Sequence, residues 1–448
     1  MISRSFSNRR PSVYWLILLI SISLHTNAFG QYNLLVQKDG AVAGDKLGWS
    51  VAGAGDVNGD GVPDYLIGMP YCDPSGMTSA GSAIVYSGAS GAILFRKDGA
   101  AINEGLGYYV SGTGDVNGDG RADFIVTNQT QAFVYSGANG GLLHQKAAGG
   151  PVAGASDVNG DGYADFMISN FSQTSVYSGA TGDLLYQKTG GSAIAGIGDI
   201  DGDGKADFIV CDHYADPGFT NGGSAYVYSG ATGSLLYQKN GHLDYDLFGS
   251  SAAGAGDVNG DGTPDFIVGA RLADLQNSGA AYVYSGATGT LLYQKNGEAD
   301  EQWGHSVSGA GDVNGDGRAD FLVGSIYADP AGHSSAGSVF LFSGATGNLM
   351  QRFDGTVTYE NFGYAMSSIG DLNGNGRSAF IIGGPNAHPG GRSRAGSAYI
   401  YGDGDLGDPC DSDVIVPTLV CQADKQIGCG ESVVFDEPTA TDNCDPSP

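Results

Sequence analysis

Seven short acidic segments in this sequence have the residue types and the spacing that bind a hard divalent cation. Calcium takes roughly six to eight oxygen ligands, many of them carboxylates, and a glycine at position 6 lets the chain turn sharply around the ion. Each segment reads Asp-x-Asn/Asp-Gly-Asn/Asp-Gly and therefore predicts a calcium loop. The loops begin at Asp56, Asp115, Asp157, Asp199, Asp257, Asp312 and Asp371.

The predicted ligands are the side chains at loop positions 1, 3, 5 and 9 and the backbone carbonyl of position 7. The first six loops supply Asp56, Asn58, Asp60, Val62 and Asp64; Asp115, Asn117, Asp119, Arg121 and Asp123; Asp157, Asn159, Asp161, Tyr163 and Asp165; Asp199, Asp201, Asp203, Lys205 and Asp207; Asp257, Asn259, Asp261, Thr263 and Asp265; and Asp312, Asn314, Asp316, Arg318 and Asp320. The seventh loop keeps Asp371, Asn373 and Asn375 but has Ala379 at position 9. We therefore expect six strong Ca²⁺ sites and a degenerate seventh.

Two other interpretations share the first half of this motif. An EF-hand or dockerin loop needs an acidic ligand at position 12 and a helix after the loop. Position 12 here is a β-branched apolar residue in every loop, as at Ile67, Val126 and Ile382. The remaining alternative is an Asx turn without metal, which would leave the repulsion among clustered carboxylates uncompensated.

The acidic loops lie within repeats that have the pattern of short strands. Successive loops begin 42 to 59 residues apart, a period typical of repeat architectures. Aromatic and β-branched runs separated by glycine-rich turns predict four strands per repeat, named A to D, with the acidic loop joining A to B. Four strands form one propeller blade. The predicted fold is all-β, a seven-bladed β-propeller of four-stranded antiparallel blades over residues 31–403.

The two ends of the repeat array predict how the ring closes. The last repeat has no D strand after its C strand at residues 397–401, whereas residues 33–40 match the D-strand sequence of residues 235–241. We therefore predict that the N-terminal strand completes blade seven and so removes exposed strand edges. An open solenoid is the alternative, and it would leave one strand without a blade.

Composition and the N-terminal segment narrow the class of protein. The net charge is −28, and the Lys and Arg clusters that phosphate contacts need are missing, which excludes a nucleic-acid partner. Residues 1–30 read as a secretory signal peptide, since Arg4, Arg9 and Arg10 precede an apolar stretch shorter than the roughly 20 residues of a membrane helix. We expect a secreted or cell-surface extracellular protein with no membrane span after signal cleavage; a single membrane anchor is the alternative.

The repeats resemble FG-GAP repeats, which form the blades of the N-terminal propeller of integrin alpha chains. The resemblance covers about residues 32–403, although repeats three and four lack the Phe-Gly element. It implies a seven-bladed propeller with calcium in the A–B loops and a role in adhesion or ligand recognition. The motif residues are Phe248-Gly249 with the Ala-Gly-Ala-Gly-Asp run at 253–257, and the variants Leu47-Gly48, Leu106-Gly107, Trp303-Gly304 and Phe362-Gly363.

A second resemblance concerns residues 404–448. Four cysteines and the run Thr-Ala-Thr-Asp-Asn-Cys-Asp-Pro at 439–446 are similar to the opening of a hyalin-repeat domain, an immunoglobulin-like extracellular module. The match spans only about 40 residues, so we expect a linker and an incomplete domain. Secretion permits disulfides, and three pairings of Cys410, Cys421, Cys429 and Cys444 stay open. Cys72 and Cys211, which each follow a B strand, are expected to be free buried thiols.

Strand alternation assigns the connections to two faces. The A–B and C–D turns share the calcium face, whereas the B–C and D–A loops lie on the opposite face and vary among repeats. Variable loops on a rigid scaffold are where binding usually occurs. We therefore predict a ligand site for an extracellular protein or glycan on this opposite face. The candidate residues are Tyr71, His213, Tyr214, Tyr327 and His333.

Two other functions compete with ligand recognition. A secreted polysaccharide- or lipid-acting enzyme would need convergent acid and base groups in a pocket. The six histidines after the signal segment are instead scattered over several repeats, and no nucleophile elbow, zinc motif or phosphate loop is present. We therefore expect a protein that is not an enzyme. A purely structural cell-surface spacer is the other alternative.

Overall fold

The computed structural model describes residues 32–404 and two further short strands, Thr418–Val420 and Thr439–Thr441, which pair with each other. Residues 32–404 form seven four-stranded antiparallel sheets, which confirms the predicted seven-bladed propeller. The signal segment, and the cysteines of the hyalin-like segment, lie outside the described residues. The assignment of residues 404–448 as a linker and incomplete domain therefore stays a prediction.

The strands follow the predicted order A to D in each blade. They are β1 (Tyr32–Asp39); β2 to β5 of blade one (Ser50–Gly55, Asp64–Met69, Ser82–Tyr86, Ile93–Asp98); β6 to β9 of blade two (Val110–Gly114, Asp123–Thr127, Ala132–Tyr135, Leu142–Lys146); β10 to β13 of blade three (Val152–Ser156, Asp165–Ser169, Gln173–Tyr177, Leu184–Thr189); β14 to β17 of blade four (Ile194–Gly198, Asp207–Asp212, Ser224–Tyr228, Leu235–Asn240); β18 to β21 of blade five (Phe248–Gly256, Asp265–Ala270, Ala280–Tyr284, Leu291–Asn296); β22 to β25 of blade six (Ser306–Gly311, Asp320–Ser325, Ser338–Phe342, Leu349–Asp354); and β26 to β28 of blade seven (Ala365–Gly370, Ala379–Gly384, Ser397–Asp403). Short 3₁₀ turns at Pro74–Gly76, Pro330–Gly332 and Pro389–Gly391 lie in B–C loops.

The N-terminal strand closes the ring as predicted. The sheet order of blade seven is β1-β28-β27-β26, and β1 runs antiparallel to β28 with Tyr32 opposite Asp403 and Asp39 opposite Ser397. The Ser397 hydroxyl also donates to Asp39 at 2.7 Å. Closure therefore joins the two ends of the array within one sheet, and the open-solenoid alternative is wrong.

The core lies within and between the blades, and the B strands are its most buried part. Each B strand carries an aromatic residue at its second position, and each of these rings is no more than 1% exposed. Every one pairs with an aromatic residue on the C strand of its own blade, at centroid distances of 5.3 to 5.9 Å. The seven buried rings are Tyr65, Phe124, Phe166, Phe208, Phe266, Phe321 and Phe380.

A lysine that recurs on six of the seven D strands contacts the next blade, whereas the D strand of blade six has Phe353 at this position. Lys97 donates to the carbonyl of Gly140 in the following C–D turn, and its ammonium lies 4.5 Å from the Tyr135 ring centroid. Lys38 on β1 makes the same contacts to blade one, with the Gly91 carbonyl at 2.8 Å and Tyr86 at 4.9 Å. The junction formed by ring closure therefore has the same lysine contacts as the junction between blades one and two.

Candidate functional site

The acidic loops lie on one face of the propeller because each joins an A strand to a B strand. Asp56, at position 1, directly follows β2, and Asp64, at position 9, is the first residue of β3. The C–D turn reaches the same face, since the Gly88 N–H donates to Asp64 Oδ1 at 2.9 Å. The predicted assignment of A–B and C–D turns to one face is confirmed.

The aspartate at position 1 shapes the loop by accepting backbone hydrogen bonds. Asp56 Oδ1 accepts from Gly59 N at 2.6 Å, and Oδ2 accepts from Gly61 N at 2.9 Å. The equivalent aspartate makes both bonds in all seven loops, including the one at Asp371. The wrapped loop conformation is therefore built by hydrogen bonds within the chain.

The aspartate at position 9 is buried and fastens two turns together. Asp64 is fully buried, and it accepts from Val57 N in its own loop at 2.8 Å as well as from Gly88 N in the C–D turn. Sequence reasoning assigned this residue a metal-binding role only. The structure adds a second role that Ala379 of loop seven does not have.

Burial raises the pKa of these carboxyl groups, and neighbouring loop aspartates raise it further. Backbone N–H donors act in the opposite direction but do not cancel the effect. A nearby cation would favour the charged form of such a group. The pKa is about 6 for Asp123, Asp165, Asp207 and Asp265, about 7 for Asp320, and raised for Asp64.

Loop four concentrates carboxylate oxygens most strongly among the described loops. Ligand atoms of Asp199, Asp201 and Asp207 all lie within 4.8 Å of one another. Loop four also carries aspartate at position 3, where the other loops have asparagine. This donor set fits a hard cation that takes carboxylate oxygens.

Loop seven uses its polar side chains for contacts within the protein. The Nδ2 groups of Asn373 and Asn375 donate to the carbonyl of Asp403 at 3.2 and 3.4 Å, and Arg377 forms an ion pair with the Asp403 carboxylate. These contacts tie the loop to the end of β28. Its weak calcium binding stays a prediction.

Neighbouring loops are joined by contacts that sequence reasoning missed. Arg121, at position 7 of loop two, donates to the Asn58 carbonyl of loop one, and the following Ala122 N–H donates to the Asp56 carbonyl at 3.0 Å. Position 7 was assigned only a backbone ligand role. Loops one and five have proline at position 8, at Pro63 and Pro264, and therefore lack this backbone donor.

The opposite face carries a group of aromatic rings near the starts of the A strands. We call Trp49, Tyr71, Tyr108, His305 and Tyr364 the axial aromatic group. The Trp49 ring lies 5.4 Å from Tyr71, 5.6 Å from Tyr108 and 4.8 Å from Tyr364, and His305 lies 5.5 Å from Tyr364. The hydroxyls of Tyr71 and Tyr108 are hydrogen-bonded at 2.6 Å.

The residues predicted to bind a ligand on this face differ in how they relate to the axial aromatic group. Tyr71 is a member of the axial aromatic group, and the charge of Tyr327 contributes to the raised pKa of Tyr364. His213 packs edge-on against the exposed Tyr214 at 4.1 Å. His333 is exposed after the Pro330–Gly332 turn, without a described ring contact to the group.

Four missed residues share one position in the repeat. Trp49, Tyr108, His305 and Tyr364 each directly follow the glycine of the Phe-Gly element or its variants. An alignment of the repeats places these large side chains together, and this was the signal available in the sequence. The role of each predicted ligand residue stays a prediction.

Comparison with known proteins agrees with the fold. A family model described as FG-GAP-like repeat matches residues 199–268 and 257–323. The matched residues belong to blades four to six of the seven-bladed propeller. Among the described residues, no helix is long and apolar enough to cross a membrane.

Several curated relatives are integrin alpha chains. The chain is 33% identical to integrin alpha-PS5 of Drosophila melanogaster over 187 residues, which cover 37% of this chain and 18% of the relative. It is 26% identical to integrin alpha-4 of Xenopus laevis over 172 residues, covering 35% and 16% of the two chains. The match to integrin alpha-2 of Bos taurus is 36% over 119 residues, covering 23% and 10%. The chain spans less than a fifth of the length of these relatives.

Proposed function

We propose that this protein is an extracellular calcium-binding propeller that acts in adhesion or ligand recognition, with its ligand site on the face opposite the calcium loops. The observation that carries the calcium part is the carboxylate cluster of Asp199, Asp201 and Asp207. The integrin alpha relatives and the exposed aromatic residues of the opposite face support the recognition part. An enzyme is not favoured, since none of these observations points to catalysis.

Calcium in this proposal stabilises the fold. The loop side chains would hold the ion. Burial and neighbouring charge disfavour the ionised form of the loop carboxyl groups, and bound calcium would offset this cost. Extracellular calcium modules bind at about 10⁻⁴ to 10⁻³ M. At about ten times Kd, each filled site adds roughly 1.4 kcal/mol to the free energy of unfolding.

A calcium titration with a single-loop variant tests this part. We expect chelator to lower the melting temperature, and we expect Asp201→Ala to reduce the calcium stoichiometry measured by calorimetry by about one. Asp201→Ala also removes one charge from the calcium-free cluster and the hydrogen bond from Asp203 N at 3.1 Å, so the melting temperature of the variant in chelator is the baseline for the effect of calcium on it. Asp183→Ala is the matched control, because Asp183 is an exposed acid in a C–D turn of the same face. Equal melting temperatures with chelator and with calcium would contradict the proposal.

A screen against extracellular proteins and glycans tests the recognition part. Two partly exposed tyrosines give a matched pair of variants, since Tyr327 lies in a B–C loop and Tyr163 lies in a calcium loop. We expect Tyr327→Ala to weaken binding of the captured ligand and Tyr163→Ala to leave it unchanged. The reverse pattern would place the ligand on the calcium face, and no captured ligand would favour a structural spacer.

A further inference from the structure

Among the described residues, the guanidinium of Arg271 has no partner, although the protein is strongly acidic. Five arginines are partly buried among the described residues, and four of them donate to protein oxygens. Arg121, Arg318 and Arg392 donate to backbone carbonyls, and Arg377 pairs with the Asp403 carboxylate. For Arg271, the described residues supply no side-chain hydrogen bond or ion pair; only its backbone N–H has a partner. A partly buried charge without a partner is costly and therefore needs an explanation.

A chain of hydrogen bonds holds Arg271 between two other blades. The Arg271 N–H donates to Ser250 Oγ at 3.3 Å, and the neighbouring Ser251 Oγ donates at 2.8 Å to Gly304 O, directly before His305. On the other side, Ser192 Oγ donates to the Gly249 carbonyl at 3.0 Å and accepts from His213 N at 3.1 Å. The segments of blades four, five and six that carry His213, Arg271 and His305 are therefore joined, and the charge of Arg271 acts on both histidine rings.

Both histidines also have ring nitrogens without partners. Nδ1 and Nε2 of His213 and Nδ1 of His305 are buried and make no hydrogen bond with the described protein. Burial lowers the pKa of both rings, and the charge of Arg271 lowers it further, to about 4 for His305, while the neighbouring Asp212 partly opposes the effect for His213. Each ring is therefore neutral at pH 7 and carries one N–H that can donate.

The axial aromatic group continues from this cluster. His305 contacts Tyr364, and Tyr364 contacts Trp49, so aromatic surface runs from the histidine toward blades seven and one. Arg271 is also close enough to lower the pKa of Tyr364, against the larger effect of burial. Donor groups and apolar surface thus adjoin each other on the face opposite the acidic loops.

We propose that Arg271, His213 and His305 bind a carboxylate presented by an extracellular polypeptide, while the axial aromatic group contacts the apolar side chain next to it. A guanidinium fork matches the geometry of a carboxylate and binds it through paired hydrogen bonds. A polyanionic glycan is disfavoured by the net charge of −28, whereas a single carboxylate depends mainly on its immediate surroundings. This inference rests on the ligand face of the proposed function and specifies its chemistry.

Calorimetry with matched peptide probes tests the inference on the full calcium-loaded chain. The probes are N-acetyl-Phe-Asp amide and its Phe-Asn counterpart, together with an oligogalacturonate as the acidic glycan. We expect the Phe-Asp probe to bind at least about tenfold more tightly than Phe-Asn, and Arg271→Gln to abolish this difference. Arg271→Lys should retain part of it, since a point charge replaces the fork. Arg352→Gln, which removes the same charge from an exposed pair on β25, should change nothing.

The possible outcomes separate this inference from the proposed function. Equal binding of both peptides, no peptide binding, or a selectivity that survives Arg271→Gln would overturn it, and preferential binding of the oligogalacturonate would reassign the site to acidic glycans. A normal melting temperature in calcium confirms that Arg271→Gln is folded. If Tyr327→Ala abolishes binding of a captured ligand and Arg271→Gln leaves that binding unchanged, the proposed ligand face is supported and the proposed carboxylate site is wrong.

Discussion

At the residue scale, buried ionisable groups occur on both faces of the propeller, but those of the calcium face have hydrogen-bond partners that His305 on the opposite face lacks among the described residues. Asp123, at position 9 of loop two, accepts from Val116 N at 2.9 Å and from Gly137 N at 2.8 Å, and these donors partly offset its burial. His305 on the opposite face has a buried nitrogen without a partner. Unsatisfied buried polar groups cost stability and are often retained for function.

The neutral ring of His305 predicts a pH dependence of stability. Its pKa in the folded protein is about 4, below the ordinary value of about 6.5, so the unfolded chain binds a proton between these values and the folded chain does not. The contribution of the neutral His305 ring to the free energy of unfolding is therefore complete above pH 6.5, and it is lost as the pH falls toward 4. We expect the wild type to lose about 2 kcal/mol more than His305→Gln over this range.

Urea unfolding in saturating calcium between pH 7 and pH 4 measures this difference. His333→Gln is the matched control, because His333 is exposed on the same face, and it should follow the wild type. Parallel loss of stability in the wild type and His305→Gln would show that the ring is protonated in the folded state.

At the element scale, β1 decides whether blade seven has four strands. It pairs antiparallel with the edge of β28, with one register shift between Leu34 and Val36, and it carries Lys38, which reaches blade one. Without β1, the propeller would expose one strand edge and lose the junction between its two ends. Exposed edges promote association with other chains.

Circular permutation tests the role of β1. We expect deletion of residues 32–39 to cause aggregation, because it exposes β28 and removes the closing contacts. Moving the same residues behind residue 404 through a Ser-Gly-Ala-Thr-Gly turn should restore a monomer, since Tyr32 lies opposite Asp403 and a hairpin can join them. Size-exclusion chromatography and urea unfolding measure both outcomes. A stable monomer after simple deletion would show that closure is dispensable.

At the scale of the whole molecule, the aspartates of the seven calcium loops all lie on one face. The predicted calcium ligands contain 20 of the 48 acidic residues, and all of them belong to the A–B loops. The basic side chains of Arg121 and Arg318 link adjacent loops there but are too few to neutralise them. The calcium-free propeller should therefore be destabilised by repulsion across this face.

Salt should partly replace calcium in relieving this repulsion. The Debye length falls from about 30 Å at 0.01 M to about 8 Å at 0.15 M ionic strength. We expect the increase from 0.01 to 0.15 M ionic strength to raise the melting temperature by several degrees in chelator and by much less in saturating calcium. Differential scanning calorimetry under the two conditions measures it. An equal salt effect with and without calcium would contradict the charge argument.

The sequence alone determined the architecture and the candidate calcium ligands. Repeat period, strand pattern and turn glycines are local properties, and each of them points to the same four-stranded unit, so agreement among seven copies specifies the propeller. The match between residues 33–40 and the other D strands also revealed closure. Cys72 and Cys211 are free and buried as expected.

Only the tertiary structure decided which distant residues meet. His213, Arg271 and His305 are brought together by serine–backbone hydrogen bonds between blades, and the axial aromatic group combines B–C loops with A-strand starts. The second role of Asp64 likewise depends on a turn 24 residues away. The repeat position shared by Trp49, Tyr108, His305 and Tyr364 is visible in the sequence, but which side chains touch depends on how the blades are arranged around a common axis.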